Sequence, residues 1–203
     1  MARAAQVPTD ARRRIVSVLW ESSRTLRELA REAPEIEKAA HALVRCLKGG
    51  GMLVSFGNGG SAADAQHLAA ELSGRFERDR RGLPAVALTT NSSALTAIGN
   101  DYDYSEVFSR QLEGLVGPGD VAVAISTSGN SPSVLEAVKV AKRQKCLVIG
   151  WTGRDGGKLK SLVDICLKVP SDRTSRIQEG HLAILHALCG FVEEELFPLK
   201  KKK

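Results

Sequence analysis

The feature that most constrains this chain is an alternation, from residue 52 to residue 169, of short apolar runs with helical segments. The runs fall at 52–56, 85–88, 121–125, 146–151 and 165–169, and the first four lack polar alternation. Strands without alternation are covered on both faces, and strands separated by helical segments are joined by crossovers. The pattern therefore predicts an α/β fold, a three-layer sandwich with a central parallel sheet flanked by helices. Ahead of it, residues 11–31 and 35–47 read as two helices separated near Pro34 and ended by Gly49, Gly50 and Gly51. A long, mostly amphipathic helix over 176–197 closes the pattern. With 203 residues, no internal repeat and no low-complexity linker, a single domain over 1–203 is expected. Its parts are an N-terminal helical segment (1–50) that packs on the sheet or on a second subunit, a core (51–197) and a basic tail (198–203).

Composition narrows the function classes. Hydrophobic residues at 43% and charged residues at 26% suit a globular protein. No apolar run is long enough to span a bilayer, so no membrane partner is expected. The basic cluster Arg12, Arg13, Arg14 is followed by only a few apolar residues before Glu21 and Arg24, which does not make an export signal. Cys46, Cys146, Cys166 and Cys189 form no Cys-x-x-Cys pair, against a disulfide framework or thiolate zinc cluster and in favour of a reducing cytoplasm. Part of the net charge of +6 lies in Lys200 to Lys203 and aromatic content is 4%, so a solvated tail is read there and nucleic acid is not expected as a partner. The remaining positive bias suits an anionic small substrate.

Two turns carry the first chemistry. Phe56-Gly57-Asn58-Gly59-Gly60-Ser61 follows the first apolar run and opens a helix; Ser126-Thr127-Ser128-Gly129-Asn130-Ser131-Pro132 follows the third. Glycines admit an anion close to the backbone, and the free amides at a helix start attract negative charge. Either turn alone has a structural explanation, since Gly, Ser and Asn fill strand-to-helix connections generally. The pair is more informative, because both lie beyond the carboxyl ends of parallel strands, where open sheets bind ligands. Neither matches a P-loop or a dinucleotide fingerprint. Hydroxyls and amides without a Gly-Lys-Ser ending point to a sugar phosphate rather than a nucleotide.

The second constellation is ionisable. His67 and Glu71 are four apart on one predicted helix face, where imidazole and carboxylate could share a divalent ion; a solvent-exposed pair is the plainer alternative. The last helix adds Gln178, Glu179, His181 and His186, so three of the four histidines fall in two helical segments. Gln178 and His186, eight residues apart, stand about 12 Å apart along a helix. They could meet at one ion if both side chains extend, if the helix start is irregular, or if they serve different subunits. His181 lies on another face and reads as structural. Such groups suit aldose–ketose interconversion, in which a proton moves between adjacent carbons; Glu71 and His186 are the acid and base candidates.

The segments GNGGSAADAQHLAAELSGRF, AIGNDY, ISTSGNS and RIQEGHLAILH resemble the phosphoheptose isomerase branch of the sugar isomerase (SIS) family, in order and over most of the chain from Gly51. The resemblance implies a homotetramer, with active sites near subunit interfaces, that converts sedoheptulose 7-phosphate to glycero-manno-heptose 7-phosphate for bacterial heptose synthesis. It implies substrate contacts at Asn58, Gly59, Gly60, Ser61, Asn100, Asp101, Ser126, Thr127, Ser128, Ser131 and Gln178. It further implies one zinc ion per subunit on His67, Glu71, Gln178 and His186, with Glu71 and His186 as the catalytic pair. Some members carry an acidic residue where this chain has Ser175. Two rivals share the scaffold: a non-enzymatic SIS protein that binds the replication initiator, which resembles this chain but lacks the Glu71 and His186 equivalents, and an isomerase for another sugar phosphate.

Overall fold

The computed structural model describes residues 9–199; the lysine run expected as a tail lies outside them. Five parallel strands form one sheet: β1 (Leu53–Gly57), β2 (Ala85–Ala87), β3 (Val121–Ile125), β4 (Leu147–Gly153) and β5 (Ile165–Val169), in the order β2-β1-β3-β4-β5. The expected strand positions are all present. β4 runs two residues further than its apolar run, because Thr152 and Gly153 continue the ladder opposite Lys168 and Val169.

Among the described residues seven α-helices surround the sheet: α1 (Thr9–Leu29), α2 (Ala33–Lys48), α3 (Gly60–Ser73), α4 (Ser92–Asp101), α5 (Ser109–Glu113), α6 (Pro132–Arg143) and α7 (Thr174–Leu196). Pro34 does not delay α2, since proline is tolerated in a first helical turn. Strand side chains alternate between two cores. Leu53, Val123, Ile125, Trp151 and Leu167 pack with α2, α3 and α7, while Val54, Phe56, Ala124 and Val148 pack with α5 and α6. Burial on both faces explains why these runs show no polar alternation.

The strand order reverses between β1 and β3, whose residues Gly57 and Ile125 are register partners. Both glycine- and serine-rich turns leave the sheet at that switch point, the crevice where open α/β sheets take ligands. α1 is different in character. It rests on α7 and β5 but leaves Ile15, Leu19 and Trp20 59%, 64% and 69% exposed.

Candidate functional site

At the switch point the two turns are one structure. Asn58 Nδ2 donates to Ser131 Oγ and Ser133 Oγ, each at 2.9 Å, and its Oδ1 accepts from the Tyr104 hydroxyl at 3.0 Å. Gly59 holds φ +57° and the next residue begins α3, so the helix start faces the turn. Ser61 and Ser126 are buried beneath it, Thr127 and Ser131 are half-buried, and Ser128 is exposed at the lip. Asn100 and Asp101 end α4, with Asn100 Nδ2 donating to Asp101 Oδ1 at 2.8 Å, and both stay open to solvent.

Beside the second turn lies a cavity of about 550 Å³ lined by Thr127, Ser128, Asn130, Arg154, Lys158 and Thr174 among others. Arg154 and Lys158 were not singled out from sequence. The signal was present: Arg154-Asp155-Gly156-Gly157 is a third glycine-containing turn at the carboxyl end of the sheet. It buttresses the serine turn directly, through Gly153 N–H to the Thr127 carbonyl (3.1 Å), Lys158 N–H to Asn130 Oδ1 (3.1 Å) and Leu159 N–H to the Gly129 carbonyl (2.9 Å).

The ionisable residues gather elsewhere. His67 Nε2 is 2.9 Å from Glu71 Oε1, and the His186 ring stands edge-on to His67 with centroids 5.4 Å apart. Helices α3 and α7 therefore bring His186 beside His67 and Glu71, which precede it by more than a hundred positions. Phe76, also missed from sequence, stacks on His186 at 5.6 Å with 22° between the rings. Gln178 is not with them: its carboxamide packs on Gly60, where an added Cβ would lie 2.1 Å from Nε2. Gly60 precedes His67 by seven residues, about 10 Å along the helix, and Glu71 by eleven, about 16 Å.

Asp64, one turn ahead of His67, has a buried Oδ2 with no hydrogen-bond partner, and burial pushes its carboxyl up to about 6 against the pull of His67. His181 is fully buried beneath β4, with Nε2 3.3 Å from the Thr152 carbonyl. It packs in the core, apart from the His67–Glu71–His186 set.

Imidazole nitrogens and a carboxylate oxygen are the donor types zinc takes. Among the described residues, however, no three His, Cys, Asp or Glu side chains stand close enough to enclose an ion as they are. Donor chemistry thus fits at His67, Glu71 and His186, whereas Gln178 of the same chain belongs to the opening of α3.

Residues 19–153 match the SIS domain model. The chain is 54% identical over 185 residues to a phosphoheptose isomerase of Geobacter sulfurreducens, covering 91% of this chain and 98% of that one. It is 57% identical over 162 residues to a phosphoheptose isomerase of Helicobacter hepaticus, covering 80% and 83%. Among solved structures, the phosphoheptose isomerase of Neisseria gonorrhoeae superposes with a TM-score of 0.87 at 46% identity, covering 91% of this chain and 99% of that one. That of Francisella tularensis gives 0.88 at 39% identity, covering 91% and 98%.

Proposed function

The chain belongs to the SIS domain family, in its phosphoheptose isomerase branch, and from that membership we propose that it interconverts sedoheptulose 7-phosphate and glycero-manno-heptose 7-phosphate, the first step toward bacterial heptose. The observation that carries the reading is the association of His67, Glu71 and His186 from two distant helices, on a scaffold whose switch point is lined by hydroxyls and free amides. A SIS protein serving only as a binding module has no use for that imidazole–carboxylate set.

The serine turn and the start of α3 hold the phosphate, with Ser126, Thr127, Ser128 and Ser131 supplying hydroxyls and Asn58, Gly59, Gly60 and Ser61 the adjoining wall. Asn100, Asp101 and Gln178 contact the sugar. In the isomerisation a base takes a proton from C1 and its bonding pair becomes the C1–C2 double bond of an enediol. An acid protonates the C2 oxygen, and then a proton is delivered to C2 as the O1 proton leaves. Glu71 and His186 are the proposed acid and base. His67, Glu71 and His186 would hold zinc, which Gln178 could join only from a neighbouring protomer, since within the chain its carboxamide packs on Gly60; when bound, the ion would polarise the carbonyl oxygen as a Lewis acid. A Glu71 carboxylate engaged by the ion is a weaker base, so its two roles compete.

Glu71 lies about 16 Å along α3 from the phosphate turn, whereas an extended heptose spans only about 10 Å from phosphorus to C1. The separation supports a site completed by a neighbouring protomer, and the exposed apolar stripe of α1 supplies a surface for a homotetramer. No described helix is long and apolar enough to cross a membrane. The four cysteines are unpaired thiols, which fits the proposed cytoplasmic location.

Incubation with sedoheptulose 7-phosphate, followed by NMR, is expected to show the aldose forming. Glu71→Gln is expected to lower kcat by at least about a hundredfold, the lower range of a lost acid or base, while sugar phosphate binding persists. Parental turnover by that variant would remove Glu71 from the chemistry.

A further inference from the structure

The segment between α3 and β2 is pinned by one buried ion pair that the reaction does not itself use. Glu193, on α7, and the Arg80 side chain are each 1% exposed. The Glu193 carboxylate accepts the backbone N–H groups of Phe76, Glu77 and Arg78, all at 2.9 Å, and Arg80 Nε–H at 2.7 Å. Burial alone would raise this carboxyl, but those amides and Arg80 outweigh it and hold it below the usual range. Arg80 in turn donates from one terminal nitrogen to the Glu71 carbonyl (2.7 Å), and from the other to the carbonyls of Leu72 (2.8 Å) and Gly74 (3.0 Å). Glu71 and Leu72 lie in the last turn of α3, whose carbonyls have no partner within the helix, and Gly74 caps it.

The clamp therefore ends at two places that matter. One is the backbone of Glu71. The other is Phe76, whose own N–H is held by Glu193 and whose ring lies on His186. None of its hydrogen bonds involves the phosphate turn.

We propose that Arg80 and Glu193 are positioning residues for proton transfer: Arg80 fixes the end of the helix that projects Glu71, and Glu193, through the backbone of 76–78, holds Phe76 against His186. The inference rests on Glu71 and His186 being the reacting pair. Reacting groups displaced by about 1 Å can lose on the order of a hundredfold in rate, so the loss should fall on turnover and spare phosphate binding.

The test uses the full-length protein and two variants. Glu193→Gln weakens the clamp. Phe76→Leu leaves the ion pair intact and keeps the question open should Glu193→Gln not fold. Ring protons of His186 in the metal-free protein should be shifted upfield by Phe76 in the parent and should lose that shift in both variants. Steady-state kinetics with sedoheptulose 7-phosphate should show kcat lower by about tenfold or more, with KM within about twofold of the parent. An unchanged His186 shift in Glu193→Gln, kcat near parental in Phe76→Leu, or a loss confined to KM would each overturn the inference and leave the clamp as scaffold. Full turnover by Glu71→Gln would instead sink the assignment of the reacting pair, and that result is read on a separate variant from the ring shifts.

Discussion

Ser128 and His181 are both polar, but one works by facing solvent and the other by being denied it. Ser128 Oγ accepts the Asn130 N–H at 3.2 Å and is otherwise open at the lip of the turn. In the proposed site it is remote from the reacting carbons, so what it would give a phosphate is binding common to ground and transition states. A hydrogen bond to a charged group contributes about 1.5–3 kcal/mol; Ser128→Ala is expected to raise KM by roughly tenfold or more with kcat nearly kept, and a loss confined to kcat would contradict the assignment. His181 is driven by burial to about 4 from an ordinary 6.5, the Thr152 carbonyl pulling partly back. Between those values the unfolded chain binds a proton and the folded chain does not, so stability is full above pH 6.5 and falls as pH drops toward 4. The shift corresponds to something on the order of 3 kcal/mol. Asp64, raised to about 6, acts in the opposite sense below that pH. The decisive measurement is therefore the difference in urea midpoint between the parent and His181→Gln at pH 7 and pH 4.5, which should narrow or invert on acidification. A constant difference would rule out a neutral buried histidine.

At the scale of elements, the serine turn shows what a single backbone position can carry. Gly129 has φ +63°, and a Cβ there would meet the Gly156 carbonyl oxygen at 2.1 Å. Neither backbone can yield without breaking the hydrogen bonds that join the turn to the 153–159 segment. Gly129→Ala is expected to cost about 2 kcal/mol or more and to raise KM together with that loss, read from a denaturant midpoint and substrate titration. The turn itself was legible, as were every strand and the helices flanking them, because local periodicity and glycine punctuation encode them. So was the proximity of His67 and Glu71, which helical spacing dictates. What stayed hidden depends on contacts remote in sequence. Glu193 reaches Arg80 across 113 positions, and no local pattern marks a glutamate that will accept three backbone amides. Gln178 could be assigned to the His67 set by resemblance, but only the fold shows its carboxamide packed on Gly60.

For the whole molecule, one separation and one exposed apolar face meet on the proposed assembly. Within a protomer the proposed phosphate turn opens α3, His67 lies midway along that helix and Glu71 near its end, while α1 leaves Ile15, Leu19 and Trp20 exposed. An exposed stripe of this kind gains roughly 25 cal/mol for each Å² of apolar surface removed from water, a gain that the proposed assembly would draw from copies meeting through α1. If a second copy also completes the site, activity and assembly must fail together even when every reacting side chain is intact. The double variant Leu19→Glu, Trp20→Glu is expected to sediment as smaller species, to keep its far-ultraviolet circular dichroism, and to lose kcat/KM more steeply on dilution than the parent. Leu19 and Trp20 are exposed on α1 and have no part in the proposed chemistry, so a dissociated variant with full activity at every concentration would mean that one protomer bridges the roughly 16 Å gap alone. An assembly unmoved by two carboxylates on α1 would place the interface on another face.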